Sequence, residues 1–99
     1  MATHTPMPTL TPTTLITRVS NLHAADMDEE IVLVNIERGM YYGLEKSARL
    51  IWNILEESIQ FNELCNRLAA CYNVSPVMIE ADVRPFIEDM ANSGIIILQ

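Results

Sequence analysis

The sequence predicts an α+β domain: a three-stranded antiparallel sheet followed by three helices, in a winged helix-turn-helix-like arrangement. Three observations carry this. Residues 31–36 (IVLVNI) are largely β-branched, apolar on both faces and too few for a helix, so they read as a central strand. Glu37-Arg38-Gly39 then breaks the apolar run with a glycine that can close a hairpin in the left-handed conformation. From residue 46 onward, apolar residues recur at helical spacing in three segments separated by short loops.

In chain order, residues 1–14 hold six Thr and three of the five Pro, a composition that buries little, and they read as a disordered tail ahead of a domain over 15–99. Residues 17–26 form a weak first strand, and the acid-rich 26–30 a solvated turn. The third strand, residues 40–44, returns antiparallel to 31–36. A first helix over about 46–57 places Ala48, Ile51, Trp52 and Leu55 on one stripe and Leu50 and Ile54 on another. A second spans about 61–72, with Phe61, Leu64, Leu68 and Tyr72 on one face. The third starts at Ser75 as N-cap with Pro76 in the first turn, and ends at Ser93 before Gly94. Pro85 lies inside it, and its missing N–H predicts a kink. The apolar 95–98 must pack or pair, since a free edge of that composition aggregates.

Composition narrows the function classes. A 99-residue chain supports one modest core, burying about 60–65 % of the unfolded surface. The net charge of −7 opposes binding to nucleic acid or to an anionic membrane, both of which need clustered cations. No apolar run is long enough for a membrane span, and residues 1–14 lack a signal-peptide pattern, so a cytoplasmic protein is expected. Cys65 and Cys71 then read as reduced thiols, small hydrophobes on a packed helix, six residues apart and pointing different ways. His4 and His23 have no neighbouring ligand partner, and residues 26–30 lack the alternating spacing of a calcium loop, so no metal and no cofactor are expected.

No nucleophile-and-base pattern, phosphate loop or dinucleotide fingerprint occurs, and no catalytic residue is assigned. A winged helix that reads DNA, or that serves as a protein scaffold, is the alternative that the fold invites. Over residues 79–92, however, Glu80, Asp82, Glu88 and Asp89 stand against Arg84 alone, a net of −3, the wrong sign for phosphate contact. Peptide binding uses what the chain does contain. The last strand of a meander is an edge, with N–H and C=O groups open to a guest strand. Alternation puts Met40, Tyr42 and Leu44 on one face and Tyr41 and Gly43 on the other.

Residues 31–36, Gly39, the run Tyr41-Tyr42-Gly43-Leu44 and the Ala48, Ile51, Trp52 helix together resemble the PqqD-like family, over about residues 17–98. Its members are precursor-peptide recognition domains of ribosomal peptide natural-product (antibiotic) biosynthesis. The chain is most similar to the stand-alone form of lasso-peptide clusters. The resemblance implies a non-catalytic peptide chaperone. It would take the leader segment of a precursor peptide as a strand added to the third strand, in the cleft beside the third helix. The implied partners are that leader and a maturation enzyme, in lasso systems a leader peptidase. A role in the pyrroloquinoline-quinone pathway shares the mechanism and changes only the partner. Carried onto this chain, the implied peptide-binding residues are Met40, Tyr41, Tyr42 and Gly43 on the strand and Asp82, Val83, Phe86 and Met90 on the helix. Pro85 and the Thr/Pro tail depart from the family pattern. The apolar end and the Leu50/Ile54 stripe suit a monomer or a weak homodimer.

Overall fold

Alternation decides the arrangement of the central hairpin. In a computed structural model, which describes residues 10–37 and 39–99, Ile31, Leu33 and Asn35 point inward and Glu30, Val32 and Val34 outward along one strand. The elements in chain order are β1 (Leu15–Arg18), β2 (His23–Met27), β3 (Glu30–Asn35), β4 (Met40–Glu45), α1 (Ser47–Ile54), β5 (Ile59–Gln60), α2 (Phe61–Tyr72), α3 (Pro76–Asn92) and β6 (Ile96–Leu98). They form an α+β fold with three helices and two three-stranded antiparallel sheets, ordered β2-β3-β4 and β5-β1-β6.

The β2-β3-β4 sheet is the expected meander. Leu33 pairs with Tyr42 and Val32 with Gly43, and β4 is an edge. Gly39 has φ +63°, and its N–H donates to the Ile36 carbonyl at 3.3 Å, closing the hairpin in the conformation foreseen for it. The acidic turn is shorter than expected. Asp26 and Met27 belong to β2 and Glu30 to β3, leaving Asp28 at φ +59° to reverse the chain. Arg49 of α1 holds this turn, with a 2.8 Å ion pair to Asp26 and a 2.5 Å hydrogen bond to the Asp28 carbonyl.

The second sheet corrects the sequence reading in two places. The single weak strand over 17–26 is two strands in different sheets. Arg18 pairs with Ile96, so β1 leaves the meander for the C-terminal strand, and the chain crosses between sheets over residues 19–22. The tail also ends earlier than residue 14. Leu10 is 3 % exposed and Thr14 is buried. The Thr14 and Pro12 carbonyls accept from the Phe61 and Asn62 N–H groups at 2.9 Å each, and the Leu10 carbonyl accepts from Arg84 at 2.6 Å. The first-turn N–H groups of α2 have no partner within the helix, so these carbonyls cap it. Side-chain composition suggested disorder, but here backbone carbonyls and Leu10 do the packing. The expectation for residues 1–9, including His4, lies outside the described residues, as does Arg38.

The helices follow their local signals. α1 stops at Ile54 rather than 57, in keeping with the poor fit of Glu56 and Glu57 to a helix C-terminus. α2 ends on Asn73 in the left-handed conformation. At the start of α3 the Ser75 hydroxyl accepts from the Met78 N–H at 3.3 Å. α3 continues through Pro85 as one helix. At its end the Ile95 N–H donates to Met90 O at 3.0 Å and Gly94 N–H to Ala91 O at 3.1 Å, with Gly94 at φ +77°. That is a Schellman cap, and its usual hydrophobic contact is supplied by buried Met90 and Ile95. The core centres on Phe61, Ile16, Leu33, Leu55, Leu64, Leu68 and Ile87. The Arg18 guanidinium lies 4.0 Å from the centre of the Trp52 ring and donates to the Trp52 carbonyl, which ties β1 to α1. Cys65 is core, and burial pushes its thiol up to about 11, whereas Cys71 is exposed rather than packed.

Candidate functional site

β4 and α3 face each other across a cleft of ≈ 250 Å³ lined by Tyr42, Gly43, Leu44, Phe86, Asp89, Met90, Ser93 and Ile95. The alternation of β4 builds one wall. Leu44 is buried, Tyr42 is half-buried against the core, and Met40 at the outer end is 44 % exposed. The Tyr42 hydroxyl donates to the Ser93 carbonyl at 3.1 Å, and the Met40 sulfur lies 3.6 Å from the same hydroxyl. Ser93 is the C-cap of α3, where carbonyls lack helical partners, so the tyrosine fixes one end of the cleft through a backbone acceptor.

The helix supplies the other wall through its 3.6-residue period. Ile79, Val83, Ile87 and Met90 turn into the core, while Asp82, Phe86, Asp89 and Ser93 follow at spacings of four, three and four along the flank. Half-buried Phe86 belongs to two cavities. It lines the β4 cleft and also a larger, mostly apolar pocket of ≈ 440 Å³ between α1, α2 and α3, with Ala48, Ile51, Tyr72, Asp82 and Val83 among its neighbours. An extended chain lying beside β4 would therefore find an apolar surface on both sides of one aromatic ring, with exposed acids Asp82 and Asp89 before and after it.

Four of the residues assigned from sequence to the strand–helix cleft come together around it: Tyr42, Gly43, Phe86 and Met90. Asp82 and Val83 line the adjoining pocket rather than the strand. Met40 stands at the outer end. Tyr41 is not in the cleft: alternation turns it to the opposite face of the sheet, where it is 77 % exposed. Leu44, Asp89, Ser93 and Ile95 were missed. Asp89 and Ser93 were within reach of the helical period counted from Phe86, and Leu44 of the strand alternation. The place of Ile95 depends on the Schellman turn.

Gly43 does not need its glycine for backbone conformation. A side chain there would begin 2.9 Å from the Glu30 Oε1, so the missing Cβ leaves room for that carboxylate on the outer face. Arg84, the cation of the helix face weighed against DNA, is engaged within the fold: it pairs with Glu80 at 2.9 Å and lies 5.2 Å from the centre of the Phe61 ring.

The family model described as "Coenzyme PQQ synthesis protein D (PqqD)" matches residues 30–96, which includes β4, α3 and everything between. The chain belongs to the PqqD family. Among solved structures it is similar to TbiB1, described in complex with the TbiA(beta) leader peptide. The two share 30% sequence identity with a TM-score of 0.73, over 81% of this chain and 93% of that one. No curated protein matches the chain. The resemblance drawn from Tyr41-Tyr42-Gly43-Leu44 and the helix that follows is thus to the right family.

Proposed function

We propose that this PqqD-family protein recognises the leader segment of a ribosomally made precursor peptide and presents it to a processing enzyme, without catalysing a step itself. The observation that carries the reading is the open edge of β4 beside the Phe86 flank of α3, in a chain similar to a protein solved with a leader peptide. The leader adds as a fourth strand to β2-β3-β4. Main-chain hydrogen bonds hold it, and alternate side chains enter the cleft and the pocket beyond Phe86, which set register and choice of peptide. Asp82 and Asp89 favour a leader with basic residues flanking an apolar one. The stand-alone lasso-type role, with a leader peptidase as the enzyme and a cytoplasmic setting, is the form that the Tyr41-Tyr42-Gly43-Leu44 run resembles, and the likeness to TbiB1 supports its leader-binding part. The family description supports a pyrroloquinoline-quinone role as the second reading, with the same strand addition and a different partner.

Fluorescence-polarisation titration with the labelled leader of the cognate precursor tests this. Gly43→Pro removes an N–H from the edge strand and places a ring on it, so binding should be lost. A Gly43→Pro protein that melts like the parent and binds the leader with unchanged affinity would rule out pairing along β4.

A further inference from the structure

Antiparallel sheets with one solvated face ordinarily carry polar residues there. The outer face of β2-β3-β4 carries few: His23 beside Val34, and Glu30 and Glu45 at the other end. Ala25 and Met27 of β2, Val32 and Val34 of β3 and Tyr41 of β4 share it, and Tyr41 and Met27 are among the most exposed large apolar residues described. Among the described residues no helix covers this side, and Tyr41 and Ala25 stand open to solvent.

One end of the face carries a second anomaly. Glu30 and Glu45 are directly opposed across β3 and β4, a like-charge pairing that costs stability in a sheet. The cost shows in Glu30, whose carboxyl is held above the usual range by its hydrogen bond to Glu45, by desolvation and by the Glu45 charge. Among the described residues neither acid has a cation within ion-pair distance, whereas Asp26, on the inner side of β2, has Arg49 at 2.8 Å.

We infer that the outer face of this sheet is a docking surface for the processing enzyme, whose apolar patch covers Val32, Val34 and Tyr41 while an arginine or lysine meets Glu30 and Glu45. The inference rests on the proposed function for the enzyme's identity. Charge complementarity selects this occupant. A second copy of the chain would bring further acid to a protein already at −7, and residues 1–9 contain no lysine or arginine to offer. Position agrees: the face is the reverse of the strand that takes the leader, so enzyme and leader occupy β4 together without competing. Tyr42 then belongs to the peptide and Tyr41 to the enzyme.

The test uses the full chain, its cognate leader peptide and the purified enzyme that processes the same precursor. Leader affinity is read by fluorescence polarisation and enzyme affinity by calorimetry, for the parent, Tyr41→Ala and the double variant Glu30→Gln/Glu45→Gln. Tyr41→Ala should weaken the enzyme complex roughly tenfold, as loss of an exposed aromatic anchor does. The double variant should weaken it and flatten its salt dependence. Leader affinity should stay within about twofold in both, as expected for residues outside the cleft. Enzyme affinity unchanged in both variants, or no complex with the parent, overturns the inference and leaves the leader reading intact. Self-association of the parent that Tyr41→Ala abolishes in sedimentation also overturns it, in favour of a dimer. Loss of leader binding by the parent with the enzyme result as expected sinks the leader reading and leaves the docking surface standing.

Discussion

The two sheets have three strands each, and the fold uses them oppositely. β5-β1-β6 is closed in. Ile16 at its centre is fully buried, Thr14 and Leu15 lend carbonyls to Phe61 and Gln99 at 2.9 Å each, and Val19 N–H reaches Ile95 O at 3.1 Å. β2-β3-β4 is left open, with β2 exposed along its whole length, a free edge at β4 and apolar residues on its outer side. One sheet gathers distant parts of the chain into the core and serves stability. The other is a local hairpin meander whose edge and outer face stay open, the surfaces on which the proposed leader and enzyme would dock. The difference is one of contact distance: the closed sheet is made by non-local pairing, which only the folded whole can supply, and the open sheet by neighbours in sequence.

This contrast can be broken by substitution. Ile16→Ala in the closed sheet should cost about 3 kcal/mol of stability, since a buried aliphatic is lost and a cavity remains. Urea unfolding measures it, and the fraction still folded should bind leader like the parent. Phe86→Ala, beside the open sheet, should do the reverse. Leader affinity should fall roughly tenfold or more, the worth of about 1.5–2 kcal/mol of apolar contact, with a smaller change in melting temperature. Equal losses of stability from the two changes would erase the distinction between the sheets.

Tyr42→Phe is expected to be milder. It removes the hydrogen bond to Ser93 O and keeps the ring, costing about 1 kcal/mol, seen as a few-fold loss of leader affinity from a looser cleft. The smallest effect belongs to the acid pair. The Glu30 pKa is raised in the folded state, so folding favours the protonated form, and stability falls as pH rises from the unfolded carboxylate range through the higher folded value. Glu45→Gln should flatten that part of the stability–pH curve, measured by denaturant titrations across it.

Local signals in the sequence led to most of the open sheet and to the helices. Ile31 to Asn35 alternate or are apolar on both faces, Gly39 closes the hairpin, and Ser75, Pro76 and Gly94 bound α3 where the cap preferences put them. The closed sheet was not legible, because nothing within the two-residue β5 or in Leu15 to Arg18 encodes a partner some 40 to 80 positions away. Leu10 and Pro12 were hidden for another reason: their role is carried by carbonyl groups that every residue has. At the cleft, the family resemblance pointed to Tyr42, Phe86 and Met90, but it did not tell Tyr41 from Tyr42. Only the burial of Leu44 settles which parity of β4 faces the helix.

The turn Ser93-Gly94-Ile95 closes α3, accepts the Tyr42 hydroxyl and launches β6 into the other sheet. Its length is therefore shared property. One inserted residue would shift β6 by a single position, turning Ile96 and Leu98 out to solvent and Ile97 inward. Homologous chains should vary more freely in the length of the acidic β2–β3 turn than in these three positions, so that insertions and deletions trace the joint between the part that holds the molecule together and the part that meets its guest.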